Sequence, residues 1–216
     1  MNRLVVKGRM KPYGSLIRSY GKAAGNYDHR WRRYNQGSLE VTFNAVAWNQ
    51  VGSLLDVGCG TGLFEVMVRR HYADIRLTGV DVSQAMLQQG RKKMSGASQT
   101  NWANALAEAL QFPAHSFDAV VCANSFHYIR QPDRALEEFR RVLRPGGCLV
   151  ITDWCDDYLA CKICDLVLRL FDPAHFRMYG TQECAERLDR AGFRIETSER
   201  FKIDWLWGLM TYRARA

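Results

Sequence analysis

The stretch of sequence that decides the fold is SLLDVGCGTG, residues 53–62. Its apolar part, Leu54 to Val57, is short and is followed by glycine, which is typical of a strand buried inside a sheet. The glycines let the backbone turn sharply and approach a ligand with no Cβ in the way. The stretch therefore predicts a buried strand, then a ligand-binding loop, then a helix over residues 63–72.

An acidic residue ends the next predicted strand. Residues 75–83 read IRLTGVDVS, and Asp81 follows the loop by about twenty residues, a position from which a carboxylate can accept both hydroxyls of a ribose. A dinucleotide fingerprint would have a further glycine where this chain has Leu63, and a triphosphate loop would contain Gly-Lys-Ser or Gly-Lys-Thr. The loop is Gly-x-Gly-x-Gly and matches neither pattern.

Strands and helices alternate along most of the chain. Further strands are predicted at 99–104, 117–125 and 148–154, and further helices at 83–94, 132–143 and 181–191. The alternation predicts an α/β fold whose mostly parallel sheet is covered by helices on both faces, with the ligand beyond the carboxyl ends of the strands. The closing strands, 193–203 and 205–216, have no helix between them and are predicted to pair antiparallel.

Three segments depart from this alternation. The first residues, up to about 25, mix glycine, proline and basic residues and are predicted to be a loose arm, before a helix from Tyr27 to Gln50. Residues 144–147, RPGG, are predicted to be a turn that ends a helix. Residues 155–180 are predicted to be a helical insertion. The chain is thus divided into an N-terminal part, 1–50, and a main domain, 51–216.

Positive charge is concentrated at the two ends of the chain. The 216 residues have a net charge of +8, yet residues 41–186 contain 14 Lys and Arg against 16 acidic residues. Residues 1–40 contain nine Lys and Arg against two acidic residues. The asymmetry favours a near-neutral domain with a basic arm, which could contact nucleic acid or the surface of an anionic membrane.

Composition excludes several classes of protein. Hydrophobic residues make up 47% of the chain and charged residues 24%, as in a globular domain rather than a disordered one. No apolar run reaches the roughly 18 residues of a membrane span, and the start lacks the apolar stretch of a secretory signal. Seven cysteines, an odd number, favour reduced thiols and a cytoplasmic location. Cys161 and Cys164 form a single close pair, which predicts buried thiols rather than a metal site.

Four motifs, in order, resemble those of the class I S-adenosylmethionine (SAM)-dependent methyltransferases. They are DVGCGTG at 56–62, VDVS at 80–83 with Met86 and Leu87, AEALQF at 107–112 with SFD at 116–118, and LRPGG at 143–147. The branch that they resemble is the small-molecule group of the ubiquinone and menaquinone biosynthesis type. The resemblance implies a Rossmann-like, doubly wound sheet of seven strands, with residues 155–180 as a helical lid.

The resemblance also implies where SAM would bind. The loop would pass under the methionine part of SAM, Asp56 would orient the loop and the ammonium group, and Asp81 would hold the ribose. The residues implied to hold the cofactor are Asp56, Gly58, Gly60, Gly62, Asp81, Val82, Met86, Ala107, Glu108, Asn124 and Tyr27. The family usually has an acid where this chain has Leu106, so adenine recognition would rest on backbone groups or on Glu108.

Methyl transfer from a sulfonium mainly requires alignment and the exclusion of water. A base is needed only when the acceptor has a proton to lose. His127, after the fourth strand, is the first candidate, because an unperturbed histidine titrates near neutral pH; a packing role is its alternative. His175, in the insertion, is the second candidate. Asp153, at the end of the fifth strand, would orient a substrate group or cap the next segment.

Three functions remain open at this stage. The lid-like insertion favours a SAM-dependent methyltransferase with a small-molecule acceptor and no metal. An RNA methyltransferase would use the basic arm as a phosphate tether, but the chain has no Asn-Pro-Pro-Tyr-type motif after the fourth strand. A non-catalytic SAM-binding scaffold has Leu106 as its only support. The oligomeric state is not predicted.

Overall fold

Seven strands form one sheet in the described part of the chain. The computed structural model describes residues 13–171, 175–205 and 207–216. The strands are β1 (Ser53–Val57), β2 (Arg76–Asp81), β3 (Thr100–Asn104), β4 (Phe117–Ala123), β5 (Leu143–Trp154), β6 (Arg194–Lys202) and β7 (Gly208–Arg215). Their order in the sheet is β3-β2-β1-β4-β5-β7-β6.

Helices cover both faces of this sheet. They are α1 (Gly14–Ala23), α2 (Tyr27–Arg30), α3 (Arg32–Ala45), α4 (Leu63–His71), α5 (Gln84–Lys93), α6 (Pro132–Val142), α7 (Leu159–Phe171) and α8 (Thr181–Arg190). Short 3₁₀ turns occur at Trp48–Gln50 and Phe126–Tyr128. The predicted alternation of strands and helices is confirmed.

Strand direction locates the ligand side of the sheet. β1 to β5 run parallel, and β7 is antiparallel to both β5 and β6. The predicted antiparallel pairing of the last two strands is therefore confirmed. The chain leaves β1 towards β2 on one side and returns at β4 on the other, so a crevice opens at the carboxyl ends of β1 and β4.

Alternate residues of the central strands serve two separate cores. On one face, Leu54 of β1 packs in a cluster with Phe64 and Val68 of α4. On the other face, Leu55 packs in a cluster that includes Leu136 of α6 and Leu188 of α8. All five residues of β1 are buried, as the apolar run predicted.

The N-terminal region differs from the prediction. The predicted loose arm is wrong for the residues of α1, because Tyr13, Leu16 and Tyr20 recur at helical spacing and form an apolar face that packs against Leu106. The predicted long helix is interrupted at Trp31, whose φ of −106° and ψ of 18° are not helical. Residues 1–12, with much of the predicted basic arm, lie outside the described residues.

The predicted RPGG turn is also wrong, because those residues begin strand β5. Leu143 pairs with Phe117 of β4, and the register then shifts before Ala119 pairs with Cys148. The irregularity accommodates Gly146, whose φ is +75°. The helix α6 ends at Val142, one residue before the predicted end.

The inserted segment packs beside the carboxyl ends of the strands. Cys161, Cys164 and Leu168 of α7 join a cluster that contains Trp154 of β5 and Trp207. In the described residues, no helix is both long and apolar enough to cross a membrane. The insertion therefore lies next to the crevice as a surface helix.

Candidate active site

The glycine loop is fixed to β2 through its backbone. The amides of Gly58 and Cys59 both donate to the carbonyl of Val80, at 2.7 and 3.0 Å. Gly58 has a φ of +79°, and a Cβ there would come within 2.3 Å of Ser125 Oγ. Gly60 has a φ of +54°, but the nearest atom to a Cβ there is 3.7 Å away. Packing therefore requires a glycine at 58, whereas a Cβ at position 60 would only make an ordinary van der Waals contact with Met86.

Asp81 ends β2, as predicted, and holds the loop from a second direction. Its carboxylate oxygens accept hydrogen bonds from the amides of Gly60, at 3.0 Å, and of Ser83, at 2.7 Å. Burial raises the pKa of this carboxyl to about 6 in spite of these donors. The Ser83 hydroxyl caps α5 by accepting from the amide of Met86.

A cavity of about 710 Å³, its open mouth included, lies beside the loop. Its lining includes nine residues predicted to hold SAM, namely Tyr27, Gly58, Gly60, Asp81, Val82, Met86, Ala107, Glu108 and Asn124. The first helix contributes Tyr13, Leu16 and Tyr20. Of these, Tyr13 and Leu16 were missed, although their helical spacing with Tyr20 is visible in the sequence.

Glu108 has one carboxylate oxygen with no hydrogen-bond partner among the described residues. Its Oε1 accepts from the hydroxyl of Tyr13 and, at 3.3 Å, from the amide of Gln131. Its Oε2 is buried without a partner in the described part of the chain, and Glu108 lines the cavity. Leu106, where the family has an acid, packs against Tyr13 and Leu16 and is not among the lining residues. Position 106 thus supports α1, and Glu108 supplies an acceptor at the cavity.

A second, smaller cavity of about 390 Å³ adjoins the first and is lined by Asp56 and Asn35. The Oδ1 atom of Asp56 and the Nδ2 atom of Asn35 are buried, and neither has a partner among the described residues. Burial, followed by the nearby Asp81 carboxylate, raises the pKa of Asp56 to about 8. This cavity therefore offers both an acceptor and a donor.

Asn124 lies between the two cavities in a conformation that is uncommon for a residue with a side chain. Its φ is +55°, directly after β4. Its Oδ1 accepts from the Tyr34 hydroxyl at 2.9 Å, and its Nδ2 donates to Ser38 Oγ at 2.7 Å. These bonds to α3 hold a strained backbone at the edge of the crevice, a place where strain is often functional.

Glu65 is a buried carboxyl that the sequence did not single out. It is completely buried in α4, and neither of its carboxylate oxygens has a partner among the described residues. Burial, followed by the Asp56 carboxylate, raises the pKa of Glu65 well above its usual range. A Cβ on Gly79 would come within 2.5 Å of Glu65 Oε1, so the carboxyl packs directly against the backbone of β2.

The N-terminal helices are joined to the loop by Asp28. Its carboxylate accepts from the Thr61 hydroxyl and forms an ion pair with Lys93. Lys93 Nζ also donates to the carbonyl of Thr61, at 2.8 Å. These three residues, here called the Asp28 latch, connect α2, the glycine loop and the end of α5.

His127 and Asp153 form a buried pair beyond β4 and at the end of β5. His127 Nδ1 lies 2.6 Å from Asp153 Oδ1, and the His127 amide donates to Oδ2 at 2.8 Å. The His127 ring stacks on Trp154 with 4.9 Å between centroids. Its Nε2 is buried with no partner in the described residues, and neither residue of the pair lines the two cavities. Asp153 is thus placed to orient the imidazole.

The remaining predicted residues lie further from the cavities. The His175 ring is 6.0 Å from that of His127, but its Nε2 is engaged by Asp165 of α7 at 2.7 Å. Asp165 also accepts from the amide of Met178, so it joins that segment to the helix. Gly62 lies behind the loop, where a Cβ would meet Trp102 at 2.5 Å.

Comparison with known proteins supports the same interpretation. Residues 55–151 match the family model described as a methyltransferase domain. The ubiquinone/menaquinone biosynthesis C-methyltransferase UbiE of Geobacter sulfurreducens is 33% identical over 59% of this chain and 48% of its own length. Demethylmenaquinone methyltransferase of Clavibacter sepedonicus is 32% identical over 67% of this chain and 60% of its own. The chain spans about half the length of the curated relatives that it matches.

Solved structures share the fold. A putative methyltransferase of Haloferax volcanii, solved with the Trm112 activator, superposes with a TM-score of 0.81 at 16% identity, covering 91% of this chain and 97% of that one. The 1,6-didemethyltoxoflavin-N1-methyltransferase of Burkholderia thailandensis, solved with S-adenosylhomocysteine, gives 0.75 at 16% identity, covering 93% and 87%. At these identities the similarity establishes the fold alone.

The sheet order, the glycine loop and the acid at the end of β2 define a Rossmann-like SAM-binding domain. The chain contains a methyltransferase domain over residues 55–151 and resembles the class I SAM-dependent methyltransferases. Its site fits the cofactor, because a cradle of bare glycine backbone lies among buried polar atoms that have no hydrogen-bond partner in the described residues.

Alanine at the two loop glycines is expected to separate packing from ligand binding. Gly58→Ala should destabilise the fold by about 2–4 kcal/mol, because its Cβ collides with Ser125 and its φ is positive. Gly60→Ala should cost only about 1 kcal/mol, but it should weaken S-adenosylhomocysteine binding. Chemical denaturation and calorimetric titration measure the two effects.

Gly96→Ala is the control for a positive φ alone, because Gly96 has a φ of +88° and a Cβ there would have no neighbour within 4 Å. Equal destabilisation at 58 and 96 would contradict the packing argument.

Glu65→Gln is expected to raise the melting temperature more at pH 8.5 than at pH 5.5. A carboxyl with a raised pKa in the folded state binds more protons when folded, so its contribution to stability falls as pH rises above the unfolded pKa. Glutamine has no proton to lose and escapes this penalty. Thermal unfolding of the ligand-free protein at both pH values measures the difference. The exposed Glu137→Gln is the control and should show no such dependence; a flat response of Glu65→Gln would show that Glu65 does not titrate in this range.

Proposed function

We propose that this protein transfers the methyl group of SAM to a small-molecule acceptor. The observation that carries the proposal is the distribution of polar atoms around the glycine cradle, with Asp81 at the end of β2, Glu108 on one side and Asp56 on the other. Bound SAM supplies a sulfonium methyl that is already activated. The protein then has to align the acceptor with it and exclude water.

Each of these acidic residues matches one part of the cofactor. The Asp81 carboxylate would accept the ribose hydroxyls, because it lines the larger cavity beside Gly60. The unpartnered Oε2 of Glu108 would accept from the adenine amino group, in place of the acid that the family has at Leu106. Asp56, with the donor Nδ2 of Asn35 beside it, would hold the amino-acid end.

An aromatic cluster marks the proposed acceptor side. Trp31, Tyr34, Trp154 and Trp207 pack edge to face or tilted, with centroids 4.8–6.2 Å apart. Tyr34 is also hydrogen-bonded to Asn124, which lines both cavities. Such surroundings suit a planar, largely apolar acceptor. The names of the curated relatives, which refer to ubiquinone and menaquinone methylation, support an acceptor of this kind.

His127 is the proposed proton acceptor when the acceptor molecule has a proton to lose. Asp153 fixes Nδ1, which leaves Nε2 as the nitrogen that can take a proton. His175 stays a second candidate, with a weaker geometric case because its Nε2 already contacts Asp165. Residues 155–180 are proposed as the lid on this side.

The alternatives have less support. Four of the nine Lys and Arg of the predicted RNA tether lie in residues 1–12, outside the described part of the chain, and no described contact favours this role. The scaffold hypothesis rested on Leu106, whose side chain is accounted for by packing against α1. A cytoplasmic location and a membrane contact through the arm stay predictions from the sequence; all seven cysteines are free thiols.

Two variants test the cofactor assignment. Wild-type protein should bind S-adenosylhomocysteine more tightly than S-inosylhomocysteine, which lacks the adenine amino group. Asp81→Asn should weaken both ligands in parallel by about 10- to 100-fold, because a charge-assisted acceptor is lost. Glu108→Gln should weaken S-adenosylhomocysteine selectively. Calorimetric titration measures all six affinities, of three proteins for two ligands. Failure of the wild type to bind S-adenosylhomocysteine would contradict the proposed function, and an undiminished preference in Glu108→Gln would contradict only the role of Glu108.

His127→Asn tests the base. Asparagine preserves a donor near Asp153 but has no basic nitrogen, so kcat for an acceptor hydroxyl or ring carbon should fall about 100-fold or more. The S-adenosylhomocysteine affinity of the folded variant should stay close to that of the wild type. The exposed His29→Asn is the control. A near-normal kcat with a lowered melting temperature would assign His127 a packing role instead.

A further inference from the structure

One face of α7 forms the largest exposed apolar surface in the described part of the chain. Seven large apolar side chains are strongly exposed in the described part of the chain. Six of them belong to this helix: Leu159, Ile163, Leu166, Val167, Leu170 and Phe171. Their exposed fractions range from 47% to 79%. They recur at spacings of three and four, so they form a continuous strip, here called the α7 strip.

The strip points away from the protein because the opposite side of the helix is already packed. Cys161, Cys164 and Leu168 join the cluster around Trp154, and Asp165 bonds to His175. The helix has 13 residues and is therefore about 20 Å long, which suits a helix lying along a bilayer and not one crossing it. The exposed residues cannot be explained by a packing partner within the described chain.

The helix itself has a net positive charge. Its exposed charged residues are Lys162 and Arg169, and Arg169 is paired with the one acid of the helix, Asp165, which is buried. Lys202 is exposed nearby, over the ring of Tyr158, which directly precedes the helix. An apolar strip flanked by Lys and Arg is the pattern of a helix that binds the interface of an anionic membrane.

The neighbouring β6–β7 loop adds an exposed aromatic residue. Trp205 is 79% exposed, while Ile203 and Trp207 on either side of it join the same cluster on which α7 packs. Tryptophan is enriched where proteins meet the headgroup region of a bilayer. Loop and helix thus flank one cluster, and both expose apolar side chains.

We propose that the α7 strip docks on the surface of an anionic lipid bilayer. The apolar side chains enter the boundary between headgroups and acyl chains, and Lys162, Arg169 and Lys202 lie at the phosphates. A second copy of the chain fits the strip less well, since a two-fold contact would bring the same cations together with no exposed acid on the helix to pair with them. This proposed membrane contact lies on the inserted segment and is separate from the contact through the N-terminal arm, which stays a prediction from the sequence.

One consequence rests on the proposed function. The buried side of α7 contacts the aromatic cluster assigned to the acceptor, so docking through the strip brings the acceptor side next to the membrane. An acceptor dissolved in the bilayer would then be within reach of the site. The docking itself does not depend on this consequence.

Vesicle sedimentation with the full chain tests the docking. We expect binding to vesicles of phosphatidylcholine and phosphatidylglycerol at 3:1, and at least tenfold weaker partitioning to phosphatidylcholine alone. Leu166→Gln/Leu170→Gln should reduce partitioning to the anionic vesicles at least tenfold, because both side chains leave the strip. Lys162→Glu should reduce it several-fold, whereas the exposed Lys92→Glu, with the same change in charge on α5, should not.

Three outcomes would overturn the proposal. They are absence of vesicle binding by the wild type, full binding by the double variant, and equal losses for Lys162→Glu and Lys92→Glu. Sedimentation equilibrium without lipid gives a further check: a dimer that the double variant dissociates, together with no vesicle binding, would assign the strip to a second copy. Cooperative thermal unfolding confirms that each variant is folded, and Ile163→Gln replaces the double variant if that one is not. S-adenosylhomocysteine affinity, measured in parallel, should be unchanged in every variant, so a failed cofactor assignment is distinguishable from failed docking.

Discussion

The cofactor side of this protein depends on the carbonyl of Val80, which accepts hydrogen bonds from the amides of both Gly58 and Cys59. The two bonds fold the chain that leaves β1 across the end of β2. Once the loop is in this place, Gly58 lies against Ser125 beyond β4, and the amide of Gly60 reaches the carboxylate of Asp81. Strands β1, β2 and β4 are therefore locked together at their carboxyl ends, and the crevice between them has one fixed shape.

The same arrangement concentrates carboxyl groups where few charges can compensate them. Asp56, Glu65 and Asp81 are buried around one loop, and burial raises the pKa of all three. The backbone donors on Asp81 offset part of this effect, whereas Asp56 Oδ1 and both oxygens of Glu65 have no described donor. A ligand that is both a sulfonium and an ammonium ion supplies the missing positive charge, so binding favours the ionised carboxylates. By linkage, ionisation of the site strengthens binding of such a ligand by the same free energy.

The fold could be predicted from the sequence wherever burial and chain direction act together. Three features each predict a single structure, and the structure agrees with all three. They are the apolar run of β1, the acid at the end of β2 and the lack of a helix before β7. Prediction failed where a local signal conflicted with packing. Glycine and basic residues concealed the apolar face of α1, and the RPGG stretch has turn composition although it belongs to the start of β5, at the irregular step between two pairs with β4. Glu65 could not be predicted, because its importance arises from the approach of Gly79, a contact between separate elements.

The N-terminal helices are attached to the site by side chains and not by the sheet. Tyr13 bonds to Glu108, Tyr20 to Tyr128, Asp28 to Thr61 and Lys93, and Tyr34 to Asn124. Each of these contacts ends on the cavity lining, on the loop or on the helix behind it. Opening the cavity at α1 therefore breaks these polar contacts together with the packing of Tyr13 and Leu16 on Leu106. Glu108 and Asn124 line the cavity and also bond to the N-terminal helical region, so the same residues shape the cavity and anchor that region.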